Sequence, residues 1–275
     1  MYQTRLCRIF ILALCLSWSQ TSLAADEPLV FSAPPRASAE VEGKVFNPVA
    51  QYLSQAINRK VEYQHPGDWL SYQSNMQRGL YDIVYDGPHL VAWRIERLQH
   101  EPLATLPSKL AFNIFVRKDN DRIKNLKNLT GRTICGMAPP NLATLTLLDL
   151  FADNPVRQPL MREVKSFKIA YEAVVSGNCV AAVMRDKAHA KIDKTKQTRV
   201  VFHTTGTVNQ SFSAGPRLTA AEKQKLAEVL TSPDSIHGIP EFHQRFNRGK
   251  KPLLTASRDQ YQKLLRMLEN SWGFN

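Results

Sequence analysis

Residues Asp68–Trp93 read DWLSYQSNMQRGLYDIVYDGPHLVAW. Asp68 is a helix N-cap, a residue whose side chain accepts from the first free helical N–H groups. Trp69, Tyr72, Met76 and Leu80 then recur at helical spacing, and Gly79 ends the turn. Tyr81–Tyr85 is a short apolar strand, and Asp86-Gly87-Pro88-His89 leaves its carboxyl end toward a second helix. In open α/β sheets, ligands sit outside the carboxyl ends of strands, beside helix N-termini whose N–H groups lack partners. The stretch therefore sets an aromatic residue and a polar loop where a small solute would bind.

Outward from this stretch the chain alternates strands and helices. Leu29–Ala33 is a strand, followed by a Pro34-Pro35-Arg36 loop, a helix over Asn47–Asn58 and a strand at Val61–Gln64. Ala111–Arg117 is apolar and extended, Leu126–Gly131 a turn, and Thr133–Met137 a strand. Ala138-Pro139-Pro140-Asn141 leads into a helix over Leu142–Phe151. Val164–Phe167 is strand-like, Ile169–Val175 helical and Cys179–Met184 a strand. Such alternation predicts an α/β protein with mostly parallel sheets covered on both faces by helices. Two sets, Leu29–Tyr85 and Thr133–Met184, predict two lobes rather than one long sheet. The tail from Thr219 to Asn275 reads as mainly helical, with Leu264, Leu265 and Leu268 docking on a core.

Arg5 and Arg8 precede an apolar run, Ile9–Trp18, and the small residues of Thr21–Ala25 follow. A span needs roughly 20 apolar residues, and this run is about half that. It describes a cleavable secretory signal peptide over residues 1–24, cut after Ala24 or Ala25. Leu14 before Cys15 is too large for lipoprotein processing. The expected location is the periplasm.

The chain has 275 residues and a formal net charge of +12; removing Arg5 and Arg8 with the leader leaves +10. A basic balance suits nucleic acid, an anionic surface or an anionic small ligand. The charges are dispersed except at Lys187–Arg199, so no nucleic-acid partner is predicted. Cys135 and Cys179 are the cysteines left after the leader. An even number in an oxidising compartment suggests a disulfide, with two buried thiols as the alternative.

In order and spacing, the mature chain resembles the phosphate/phosphite/phosphonate substrate-binding proteins of ABC transporters, within the type II periplasmic binding fold. The resemblance rests on Leu29–Ala33 with its Pro loop, Gly67-Asp68-Trp69, and Gly79–Ile83 followed by Gly87-Pro88. It continues in Phe115–Asp119, Leu126–Ile134, Ala170–Gly177 and Arg199–Pro216. It implies two lobes joined by a double crossover and closing on a solute: residues 25–110 with 206–275 form lobe I, and residues 111–205 form lobe II. It further implies an ABC permease as partner, a monomer, and no cofactor.

The resemblance also transfers a site. Trp69 takes the place where relatives put a ligand-facing Tyr; it either stacks on the solute or packs under its helix. Asp86, Gly87, Pro88 and His89 match the loop facing the cleft. At Ala138–Thr144 the chain departs: phosphonate-binding relatives carry Ser-Thr-Ser-Gly, whereas here Pro139 and Pro140 remove backbone donors. Asn141 and Thr144 are the polar candidates that remain there. Val180 stands about where an Asp is common. Arg36, Lys168 and Arg185 fall near the cleft and favour an anionic or zwitterionic solute.

Chemistry-bearing motifs are missing. There is no Gly-x-Ser-x-Gly elbow, His-Glu-x-x-His helix, Walker loop or dinucleotide fingerprint, and the seven His residues are scattered. The expected function is solute capture for an ABC importer. A ligand sensor of the same fold, signalling through a membrane protein, is the alternative; an enzyme, like the pyrimidine-forming relatives of such proteins, ranks third.

Overall fold

β1 (Leu29–Ser32) begins a computed structural model that describes residues 27–269 except 153 and 250, together with 273 and 274. The leader expected over residues 1–24 lies outside the described residues. After β1 come α1 (Ala39–Ile57), β2 (Val61–Tyr63), α2 (Trp69–Gln77), β3 (Ile83–Asp86), α3 (Pro88–Arg97) and β4 (Glu101–Thr105). The chain then crosses to a second sheet through β5 (Phe112–Arg117), β6 (Thr133–Met137), α4 (Leu142–Asp149), β7 (Leu160–Val164), α5 (Phe167–Val175), β8 (Ala181–Arg185), α6 (Asp186–Ile192) and β9 (Thr198–His203). It returns through β10 (Ser211–Ala214), α7 (Ala220–Thr231), α8 (Ser235–Gly238), α9 (Pro240–Asn247), β11 (Leu254–Thr255) and a 3-10 turn at Arg258–Leu264. None of the described helices is long and apolar enough to cross a membrane.

The first sheet has the order β11-β4-β10-β3-β1-β2 and the second β7-β6-β8-β5-β9. Both are mixed rather than mostly parallel. β1, β2 and β3 are parallel, as are β6, β7 and β8, because helices connect them. The strands that carry the chain between lobes run the other way: β10 is antiparallel to β3 and β4, and β5 to β8 and β9. The crossing segments also pair with each other, Leu110 with Thr207, through two N–H···O bonds of 2.9 Å.

Local chemistry explains where the elements begin. α1 starts eight residues before the predicted Asn47, because Ser38 caps it and accepts from the Val41 N–H. Pro48 lies inside this helix. Ser166 caps α5, so helix occupies Phe167 onward and the strand before it ends at Val164. β4 was not anticipated, since Pro102 interrupts its pattern.

Each sheet has its own core. In the first lobe Phe31, Phe46, Tyr85, Phe212 and Phe242 interlock, with Tyr85 4.8 Å from Phe242 and 4.9 Å from Phe212 between ring centroids. Ile114, Val116, Ile134, Ala181 and Val183 fill the second. Leu145 of α4 belongs instead to a cluster with Tyr72, Val84, Leu90 and Leu268, which joins the lobes. Leu264 and Leu268 dock as predicted, against α3 and beside α2. Cys135 and Cys179 form a disulfide with Cα atoms 5.9 Å apart, tying β6 to the turn before β8.

Candidate functional site

The loops after β1, β3 and β6 meet at the carboxyl ends of their strands, where Arg36 lies over Tyr85 and His89 reaches Pro140. The loop after β3 is the hub. Asp86 ends that strand fully buried, accepting from the Tyr72 hydroxyl at 2.5 Å and from Arg94 Nε at 2.9 Å. Arg94 Nη2 donates to the same Tyr72 oxygen at 3.0 Å. Burial, and then the Asp86 carboxylate, push the Tyr72 hydroxyl well above its ordinary range. Both oxygens of the Asp86 side chain are thus held by a buried cation and a buried phenol.

Gly87 and Pro88 serve geometry. Pro88 occupies the first turn of α3, where a missing N–H costs nothing. A Cβ on Gly87 would lie 2.9 Å from His89 Cε1, so only glycine leaves room for that ring. His89 Nε2 is 2.8 Å from the carbonyl oxygen of Pro140, in the other lobe. A carbonyl only accepts, so Nε2 carries the proton. Nδ1 is buried without a protein partner. Burial lowers the His89 pKa to about 4, with the charge of Arg36 adding to the effect and the Pro140 bond opposing it.

At the N-terminus of α4 the side chain of Asn141 caps one helical N–H. Asn141 accepts from the Ala143 N–H at 3.1 Å, and its own N–H donates to Ala138. Thr144, buried, donates to the Met137 carbonyl at 2.6 Å. A Cβ on Gly136 would come within 2.6 Å of that hydroxyl, so α4 approaches β6 closely. Asn141 thus caps its own helix, and the Thr144 hydroxyl holds the helix to the end of β6. Lys168 stands exposed on α5, 3.7 Å from Glu172. Trp69 is 40 % exposed at the start of α2, its ring edge-on to Tyr72.

Two of the predicted basic residues lie at or just after the carboxyl ends of strands in different sheets. Arg36, in the loop after β1, lies with Cζ 6.0 Å from the centre of the Tyr85 ring and 5.9 Å from that of Phe246. Arg185 ends β8 on the opposite lobe. Burial, and the charge of Arg36, hold Arg185 below the usual arginine range. Neither guanidinium belongs to an ion pair among the described residues. Tyr85, fully buried, donates to Gln210 Oε1 at 3.2 Å, and burial raises its pKa against the pull of Arg36, Arg185 and Arg245. Tyr85, Gln210 and Arg245 were missed; Tyr85 lies inside the stretch that carried the fold, but its direction is set by pairing with β10.

Behind Arg36 sits Glu42, fully buried on α1. It accepts from the Arg36 backbone N–H at 3.1 Å and lies 3.4 Å from both Arg245 Nη2 and His65 Nε2. The site thus gathers cations at its mouth with its carboxylates engaged beneath. Among the described residues no group of His, Cys, Asp and Glu could hold a metal ion.

Residues 31–271 match the family described as ABC transporter, phosphonate, periplasmic substrate-binding protein, and the chain belongs to it. Comparison with curated protein sequences gave no match. Among solved structures, XAC2383 from Xanthomonas citri bound to ATP superposes with a TM-score of 0.68 at 18% identity, covering 87% of this chain and 96% of that one. PhnD1 from Prochlorococcus marinus in complex with methylphosphonate gives 0.65 at 17% identity, with the same coverage of 87% and 96%. A binding-protein component of an ABC phosphonate transporter from Pseudomonas aeruginosa gives 0.60 at 15% identity, covering 88% and 86%. At these identities the likeness is one of fold. The type II periplasmic binding architecture expected from sequence is the one observed.

Proposed function

We propose that this member of the family captures a small phosphonate- or phosphate-bearing anion between its lobes and delivers it to an ABC permease. The observation that carries the proposal is Arg36, whose guanidinium lies 6.0 Å from the centre of the Tyr85 ring and belongs to no ion pair among the described residues, with Arg185 at the end of β8 in the other sheet. Like charges brought together at a half-buried site are stabilised by an anion between them, and guanidinium suits phosphoryl oxygens. Solved relatives of the fold hold methylphosphonate and ATP, both of which present such oxygens. A ligand touching both arginines would favour the closed arrangement by its differential contacts.

In this proposal the chain is a monomeric carrier rather than an enzyme, exported by its leader and free in the periplasm. The lobes divide at 110/111 and 205/206, on the paired crossing segments. Calorimetric titration of the protein lacking its leader with methylphosphonate, inorganic phosphate and ATP tests it. At least one should bind, and Arg36→Gln should weaken that binding at least tenfold, about 1.4 kcal/mol. Affinity unchanged in Arg36→Gln would remove the arginine pair from the site.

A further inference from the structure

The second lobe carries a concentration of positive charge at the end turned away from the first. Strand register fixes which segments meet there. Arg117 pairs with Thr198, Val116 and Ile134 with Ala181, and Thr133 with Leu160, so β5 ends where β6, β7, β8 and β9 begin. The opposite end of β6 leads to Pro140, which meets His89 of the first lobe. Segments 117–132, 150–160, 176–180 and 193–198 therefore share the outer pole, and together they hold nine basic residues against four acidic ones. Lys194 and Lys196 come from the basic run Lys187–Arg199. Backbone bonds join the segments: the Lys118 N–H donates to Gln197 at 2.8 Å, and the Leu160 N–H to Arg132 at 2.9 Å.

Lys118, Arg122, Lys124, Lys127, Arg132 and Lys196 are exposed and belong to no ion pair among the described residues. Asp119 is paired with Arg117 at 2.6 Å, and Asp193 accepts from the Tyr171 and Thr198 hydroxyls. Aliphatic side chains protrude beside these cations: Val156 is 91 % exposed and Leu160 63 %. A soluble polyanion would use only the cations. Aliphatic groups set among cations suit the boundary between anionic headgroups and acyl chains, where charge attraction and apolar burial add. We propose that this pole binds the surface of a bilayer containing anionic phospholipid, holding the protein there with the cleft at its other end uncovered.

Co-sedimentation of the protein lacking its leader with lipid vesicles tests this. Binding should be at least tenfold tighter to phosphatidylcholine vesicles with about 30 % phosphatidylglycerol than to phosphatidylcholine alone, and should weaken as added salt screens the charges. Replacing Lys118, Lys124 and Lys127 together with Gln should weaken it at least fivefold. The same loss of charge at Lys44, Lys60 and Lys225, exposed on the first lobe, should change it less than twofold. Val156→Ser should weaken vesicle binding at least threefold and leave binding to dextran sulfate, a soluble polyanion, unchanged. All these side chains are exposed, so each variant should keep the wild-type circular dichroism spectrum. Equal binding to the two vesicles, binding to neither, equal losses in the two lysine triples, or undiminished vesicle binding by Val156→Ser would overturn the inference.

Discussion

His89 gives the interface between the lobes a defined response to acid. In the unfolded chain its imidazole titrates near 6.5; in the folded protein burial holds it at about 4. Between those values the unfolded state binds a proton that the folded state does not. Stability contributed by neutral His89 is therefore complete above about pH 6.5 and falls as pH drops toward 4. The loss amounts to about 2 kcal/mol by pH 5 and about 3 kcal/mol by pH 4. Burial also lowers His100, His189 and His243, so the measurement has to isolate one imidazole. His89→Gln keeps a donor toward Pro140 but does not titrate. Urea unfolding of both proteins, followed by tryptophan fluorescence from pH 7 to pH 4, gives the difference curve. The wild type should lose about 3 kcal/mol more than the variant across this range. Parallel curves would mean that His89 is solvated and that the Pro140 contact does not close the lobes.

Three further outcomes follow from the same geometry. Asp86→Ala leaves Arg94 buried without its counter-charge and should cost about 3–5 kcal/mol in urea unfolding, whereas a cost under 1 kcal/mol would place Asp86 at a solvated surface. Removing the disulfide by replacing Cys135 and Cys179 with Ala frees a 44-residue loop and should cost about 4 kcal/mol, measured against the oxidised protein by the same method. Replacing Asn141 and Thr144 together with Ala should lower stability by about 1–2 kcal/mol through the lost cap and clamp, yet leave solute affinity within twofold by calorimetry; a tenfold loss would return α4 to the binding site.

Much of the fold was legible because its signals are local. Asp68 caps α2, Thr133–Met137 forms a strand with the predicted bounds, and Leu264 and Leu268 dock. These depend on side-chain periodicity and capping chemistry within a few residues. The mixed sheets were not legible, because strand direction at β5 and β10 depends on the route between lobes. The site divides in the same way. Arg36 and Arg185 stand in the loop after β1 and at the end of β8, places that strand patterning alone locates. The surroundings of the Asp86 side chain were not legible, because its partners, Tyr72 and Arg94, stand 14 and 8 residues away on flanking helices. The setting of Lys168 turned on a boundary: with the strand ending at Val164, it falls on the exposed first turn of α5 rather than at a strand end. Thr144 kept its polar character, but α4 packs so closely on Gly136 that its hydroxyl turns to Met137.

The decisive measurement is a crystal structure of the protein soaked with the tightest-binding phosphonate. The account predicts phosphonate oxygens within hydrogen-bond distance of Arg36 and Arg185, over Tyr85, with His89 still bonded to Pro140. Density for the phosphonate on the N–H groups of α4, with Asn141 turned away from Ala143, would contradict it.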